Sequence, residues 1–128
     1  METEKKRVLV VDDEKDIVEL LKVNLEASGY VVDAAYDGEE AVSKIINSGI
    51  DRPDLVVLDV LLPKINGFDV ARQMKTNTAT EKIPIIMLTG KSQPLDKITG
   101  LMECEVDDYV VKPIDIDDFL LRVMKITK

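Results

Sequence analysis

Apolar residues along the chain fall into two kinds of pattern, compact runs and spaced repeats. Val8-Leu9-Val10-Val11, Leu55-Val56-Val57-Leu58 and Ile85-Ile86-Met87-Leu88 are uninterrupted. Such runs predict strands buried on both faces, as in a parallel sheet covered by helices. Residues 30–35 and Tyr109-Val110-Val111 predict two further strands. Between the first two strands, Ile17, Leu20, Leu21 and Leu25 fall on one face of a helix over residues 14–28. Gly29 follows where a helix C-terminus favours glycine. Asp37-Gly38-Glu39-Glu40 reads as a capping box, with Asp37 at the N-cap and Glu40 three residues on. Ala41, Ile45 and Ile46 continue that helix toward Asn47. Pro63 and Gly67 punctuate the next loop, and Phe68, Ala71 and Met74 carry a third helix. A fourth helix is expected from near Leu95 to Cys104. Asp115 can cap a fifth, carrying Phe119, Leu120, Val123 and Met124. Five strands alternating with five helices predict a doubly wound α/β sandwich.

Length and composition narrow the picture. The chain has 128 residues, which predicts a single domain over 1–128 with its core at about 7–127. No linker, repeat or low-complexity tract marks a second domain, so no output domain is expected in this chain. Formal charge is −8, with 25 acidic against 17 basic residues. That balance disfavours direct nucleic-acid binding and fits a cation or a basic protein partner. The lone cysteine, Cys104, can form no intrachain disulfide, in keeping with a reducing compartment. It reads as a small helix residue, because no His is present to activate it as a thiol nucleophile. The charged start, Met-Glu-Thr-Glu-Lys-Lys-Arg, is unlike a signal peptide, and no apolar run is long enough to span a bilayer. A cytoplasmic protein with no membrane association is expected.

Polar residues mark the strand ends. In open parallel sheets, ligands sit outside the carboxyl ends of the strands. Strand one ends in Asp12-Asp13, strand three in Asp59, strand four in Thr89 and strand five in Lys112. Each alone has a plain structural reading: Asp12 or Asp13 as a helix N-cap, Thr89 as a turn residue, Lys112-Pro113 as a surface turn. Asp59 is harder to dismiss, since a bare carboxylate at a buried strand end costs free energy unless paired. Their coincidence on one rim points to chemistry. Three crowded carboxylates repel one another, and all-oxygen ligands suit a hard cation such as Mg²⁺. A nucleophilic carboxylate, a metal, a lysine and a hydroxyl are the parts that phosphoryl transfer needs.

The segments Val-Leu-Val-Val-Asp-Asp-Glu (8–14), Asp-Val-Leu-Leu-Pro-Lys-Ile-Asn-Gly (59–67), Ile-Met-Leu-Thr-Gly (86–90) and Asp-Asp-Tyr-Val-Val-Lys-Pro (107–113) together resemble the response-regulator receiver family. The resemblance covers essentially the whole chain. It implies a flavodoxin-like sheet of strand order 2-1-3-4-5 and a phosphorylation-activated switch of a two-component system. Asp59 would be the phosphoacceptor. Asp13, Asp59 and the Leu61 carbonyl would ligate Mg²⁺ (or Mn²⁺), with Asp12 acting through water. Thr89 and Lys112 would bind the phosphoryl group, Lys112-Pro113 would be a cis peptide, and Tyr109 would be the switch aromatic. A phosphoryl group adds roughly two negative charges and three acceptors. Thr89 would be drawn to it, making room for Tyr109 and reshaping the face of the fourth helix, fifth strand and fifth helix.

The resemblance also implies partners. With no His of its own, the chain needs a histidine kinase or histidine phosphotransfer protein as donor, and a downstream protein or separate output domain as target. Lys97, Asp107, Asp108 and Arg122 lie where some transcription-factor receivers form dimer ion pairs, so a homodimer through that face is a further expectation. Cys104-Glu105-Val106 replaces the common Ala-Gly-Ala, removing an easy helix C-cap, and Ile114 replaces a common Phe. Leu61 and Lys91 flank the expected phosphoryl position and would tune its loss. The chain would not be an enzyme on a separate substrate. The competing readings are a haloacid-dehalogenase-like aspartyl-phosphate phosphatase, a flavin or nucleotide binder, and a pseudo-receiver working only by binding. Position 14 is Glu rather than the Asp of an Asp-x-Asp pattern, and no glycine-rich phosphate loop follows strand one.

Overall fold

The three uninterrupted apolar runs become the centre of one sheet. The computed structural model describes residues 5–46, 52–90 and 106–128. Within them the order is β1 (Arg7–Val11), α1 (Lys15–Ala27), β2 (Val31–Ala35), α2 (Gly38–Ile46), β3 (Leu55–Asp59), α3 (Gly67–Lys75), β4 (Ile85–Gly90), β5 (Asp108–Lys112) and a last helix (Ile116–Ile126). The five strands are all parallel in the order β2-β1-β3-β4-β5. The expected fourth helix at 95–104 lies outside the described residues, as do Lys91, Lys97, Cys104 and Glu105.

Burial follows strand position. β3 is buried at all five residues and β1 at four, but the edge strands β2 and β5 are exposed at alternate positions. Uninterrupted burial therefore belongs to interior strands only. Successive strand residues face opposite sides. Leu9, Val11, Val56, Leu58 and Met87 pack with Ala41, Ile45, Val70 and Met74 of α2 and α3. Val8, Val10, Val57, Ile86 and Leu88 pack with Leu21 and Leu25 of α1 and with Phe119 and Val123 of the last helix.

The helix ends follow local chemistry. Gly29 has φ of 97°, and the Tyr30 and Gly29 amides donate to the Leu25 and Glu26 carbonyls, closing α1 in a Schellman turn. Asp37 Oδ1 accepts from the Glu40 amide at 2.8 Å, while Glu40 Oε1 reaches back to the Tyr36 amide. The expected box is thus present, reaching one residue beyond the cap. Asp115 caps the last helix by accepting from the Asp118 amide. The cap of α3 is Asn66, which accepts from the Asp69 amide; it carries no Glu or Gln three residues on to announce it.

Candidate functional site

β1, β3, β4 and β5 end at one rim of the sheet. Asp59 is the last residue of β3, Thr89 and Gly90 the last of β4, and Lys112 the last of β5. The register sets Gly90 beside Lys112 and Asp59 beside Leu88. Asp12 follows directly on β1, and its amide donates to the Ala35 carbonyl. These positions turn a one-dimensional pattern into a pocket.

Lys112 is its organising charge. Its Nζ lies 2.9 Å from Asp12 Oδ2, 3.2 Å from Glu14 Oε1 and 3.3 Å from Asp59 Oδ2. Its side chain is only 19% exposed. Asp12 is fully buried and Asp59 nearly so. Asp12 Oδ1 accepts from the Glu14 amide at 2.9 Å and Asp59 Oδ1 from the Leu61 amide at 3.3 Å. The N-cap residue of α1 is Glu14, without a side-chain capping bond. Asp12 therefore holds the turn before α1, and its second oxygen faces the pocket. Asp13 is exposed, and Asp12, Asp13 and Glu14 each bring a carboxylate oxygen within 4.8 Å of the others. Glu14 is a site residue that single-residue reading passed over. Its signal was its place directly after two carboxylates.

The electrostatics are those of crowding. Burial, and then the neighbouring Asp12 carboxylate, push the Asp59 carboxyl up to about 6, against the opposing pull of Lys112 and the Leu61 amide. Burial pulls the Lys112 ammonium down, but Asp12, Asp59 and Glu14 more than offset it, and its pKa stands above the usual lysine value. Three carboxylates share one ammonium, leaving the pocket net negative. Among the described residues, no donor meets Asp12 Oδ2 in hydrogen-bonding orientation, although Lys112 lies close by. The carboxylate oxygens of Asp12, Asp13 and Glu14, gathered within 4.8 Å of one another in a net negative pocket, are hard donors that fit a small divalent cation.

The remaining residues fall around this centre. Thr89 is buried, and its hydroxyl donates to the Val110 carbonyl at 3.5 Å, a long and weak bond. Tyr109 is 49% exposed on β5. Leu61 is 66% exposed beside Asp59. The Lys112-Pro113 peptide is cis. Asp107 and Arg122 are already engaged within the chain. The Ile85 amide donates to Asp107 at 2.8 Å, and Arg122 binds Asp108 at 2.7 Å and Asp118 at 2.8 Å.

A model of the response regulator receiver domain family matches residues 8–124. The chain belongs to that family. This receiver domain is 46% identical over 123 residues to the alkaline phosphatase synthesis transcriptional regulatory protein PhoP of Bacillus subtilis, covering 96% of this chain and 49% of that protein. It is 39% identical over 117 residues to the DNA-binding dual master transcriptional regulator RpaA of a Synechocystis species, covering 91% of this chain and 47% of that protein. The chain thus spans about half the length of these curated relatives. Among solved structures, a putative response regulator from Chloroflexus aurantiacus superposes with a TM-score of 0.87 at 34% identity, covering 97% of this chain and 98% of that one. The chemotaxis protein CheY4 of Vibrio cholerae gives 0.86 at 28% identity, covering 96% and 99%. The receiver domain is accordingly a signalling module of a two-component response regulator. None of the three competing readings finds support among these relatives. No helix among the described residues is long and apolar enough to cross a membrane.

Proposed function

We propose that Asp59 of this receiver domain accepts a phosphoryl group from the phosphohistidine of a kinase or phosphotransfer protein. The observation that carries this is the Lys112 ammonium, held within 3.3 Å of both the buried Asp59 and its neighbours Asp12 and Glu14. An Asp59 oxygen attacks phosphorus, the new P–O bond forms, the P–N bond to the donor imidazole breaks, and the product is an acyl phosphate. Lys112 is placed to follow the transferred charge, and the Thr89 hydroxyl, loosely held at Val110, can leave its carbonyl for a phosphoryl oxygen. Asp13, Asp59 and the Leu61 carbonyl would hold Mg²⁺ or Mn²⁺, with Asp12 through water. The cation would supply neutralisation of the phosphoryl oxygens.

Intact mass after incubation with a small acyl-phosphate donor tests the reading. One added phosphoryl group is expected on the wild type with Mg²⁺, and none on Asp59→Asn or without metal. An adduct that survives Asp59→Asn would refute the assignment.

Cation affinity should depend on pH. Binding requires the ionised carboxylate, and Asp59 titrates at about 6. Apparent Mg²⁺ affinity is expected to fall roughly tenfold per pH unit below that value, and to level off above it. A titration at pH 5, 6, 7 and 8 followed by calorimetry checks this. A flat profile would remove Asp59 from the ligand set.

The output belongs to a longer regulator. PhoP and RpaA are named as transcriptional regulators and are about twice the length matched. We place this 1–128 receiver domain in control of a separate output domain, with contact to DNA left to that domain. A cytoplasmic location follows from that role, as does the absence of any separate substrate. Tyr109, exposed beside Arg122, would turn inward as Thr89 moves, altering β5 and the last helix for a partner or a second copy. Sedimentation of the phosphorylated domain distinguishes the two: a homodimer requires a doubled mass on activation. Leu61, exposed beside Asp59, would govern access of the water that attacks the acyl phosphate, together with Lys91.

A further inference from the structure

We propose that Lys64 is a positioning residue of the phosphoacceptor loop, seating the chain between β3 and α3 on the N-terminus of α2. Lys64 has φ of 70°, the one non-glycine residue in the left-handed region among the described residues. The Ile65 amide donates to the Pro63 carbonyl at 2.9 Å across it. Lys64 therefore sits at the centre of a γ-turn, a strained arrangement for an L residue that persists only where its surroundings hold it.

The surroundings are the start of α2. The Gly38 amide donates to the Pro63 carbonyl at 3.3 Å. A Cβ at Gly38 would collide with the Ile65 carbonyl oxygen, so the two backbones meet with no room for a side chain. Lys64 Nζ lies 3.5 Å from Asp37 Oδ2 and 3.7 Å from Glu39 Oε1. Asp37 uses its other oxygen to cap α2 through the Glu40 amide. One carboxylate thus caps the start of α2 and grips the loop. Opposite, the Gly67 amide donates to the Val60 carbonyl at 2.9 Å, and Gly67 lies against the Asp59 carbonyl. The loop carrying Leu61 is pinned at both ends, at Gly67 by close backbone approach and at Lys64 by charge.

The Lys64 end is the adjustable one. Gly67 admits no other geometry, whereas an exposed ion pair contributes little and yields to salt or substitution. Loosening it lets the turn relax and the Leu61 backbone drift from Asp59. The proposal rests on the metal reading above for its effect on cation binding, but the seating itself is independent of metal.

Two measurements test it on wild type, Lys64→Ala, Lys64→Arg, Asp37→Asn and the double variant Lys64→Ala/Asp37→Asn. Amide hydrogen exchange without metal should quicken at Leu61 and Ile65 in Lys64→Ala and Asp37→Asn, with the β1 and β3 amides unchanged. Mg²⁺ titration by amide chemical shifts should show affinity about three- to fivefold weaker in each single variant. The double variant should match Lys64→Ala, which already removes the contacts to both Asp37 and Glu39, and Lys64→Arg should match wild type. Unchanged exchange at both amides overturns the proposal, as do additive losses in the double variant. If the wild type takes up no Mg²⁺ the metal reading falls, and exchange at Ile65 still decides the seating.

Discussion

Lys112→Met is expected to destabilise the metal-free domain on the order of 3 kcal/mol at pH 7.5, because it strips the cation from a buried carboxylate cluster. The deficit should depend on pH. The Asp59 carboxyl stands at about 6 in the fold against 3.8 ordinarily. A raised carboxyl favours the protonated form, so its contribution is fully present below about 3.8 and lost as pH climbs through 6. In the wild type this loss is roughly 2–3 kcal/mol by the usual conversion of pKa shifts. Without Lys112, Asp12 and Asp59 face each other unopposed, and the loss grows. Urea unfolding of both proteins at pH 4.5 and 7.5 checks this, and a deficit equal at the two pH values would contradict it. The same variant should be phosphorylated about 10²–10³-fold more slowly by a small donor, the usual cost of removing one stabilising charge from a transition state. Asp59→Asn should act in the opposite sense on stability, removing one of the repelling charges.

Gly67→Ala is expected to damage both fold and site. A Cβ at Gly67 would strike the Asp59 carbonyl oxygen and crowd the Val60 Cα and Asp59 carbonyl carbon. All three are backbone atoms of the chain leaving β3, and β3 is buried at every residue. Neither side can give without moving Asp59. A loss on the order of 3 kcal/mol is expected, comparable with severe overpacking of a core. The surviving folded fraction should take up phosphoryl groups slowly, because the Asp59 carboxylate moves with its own backbone. Thermal unfolding and intact mass on one preparation separate the two effects. A folded variant with wild-type phosphorylation would show that the contact is slack.

Glu14 shows how far residue-by-residue reading reaches. Lys112 and Glu14 are separated by 98 positions, and their contact arises only when β5 and the start of α1 meet at one rim. Asp12 illustrates the same limit. A carboxylate before a helix suits a cap, yet here it bonds the turn ahead of the helix and turns its other oxygen to Lys112. Asp107 and Arg122, which lie where some receivers form dimer ion pairs, also make contacts within the chain that only the fold shows. Asn66 was invisible because a cap without a partner three residues on resembles any loop asparagine.

By itself the sequence determined the alternation of strands and helices, the turn at Gly29, the caps at Asp37 and Asp115, and the polar strand ends at Asp12, Asp59, Thr89 and Lys112. These are local properties: hydrophobic period, φ preference and side-chain-to-backbone bonds within a few residues. Tertiary structure alone decided which three carboxylates share Lys112, how far burial lifts Asp59, and that Lys64 is held in a left-handed turn. Each depends on parallel strands aligning in register and on charges from distant segments meeting in a low-dielectric crevice, which no local window of the chain contains.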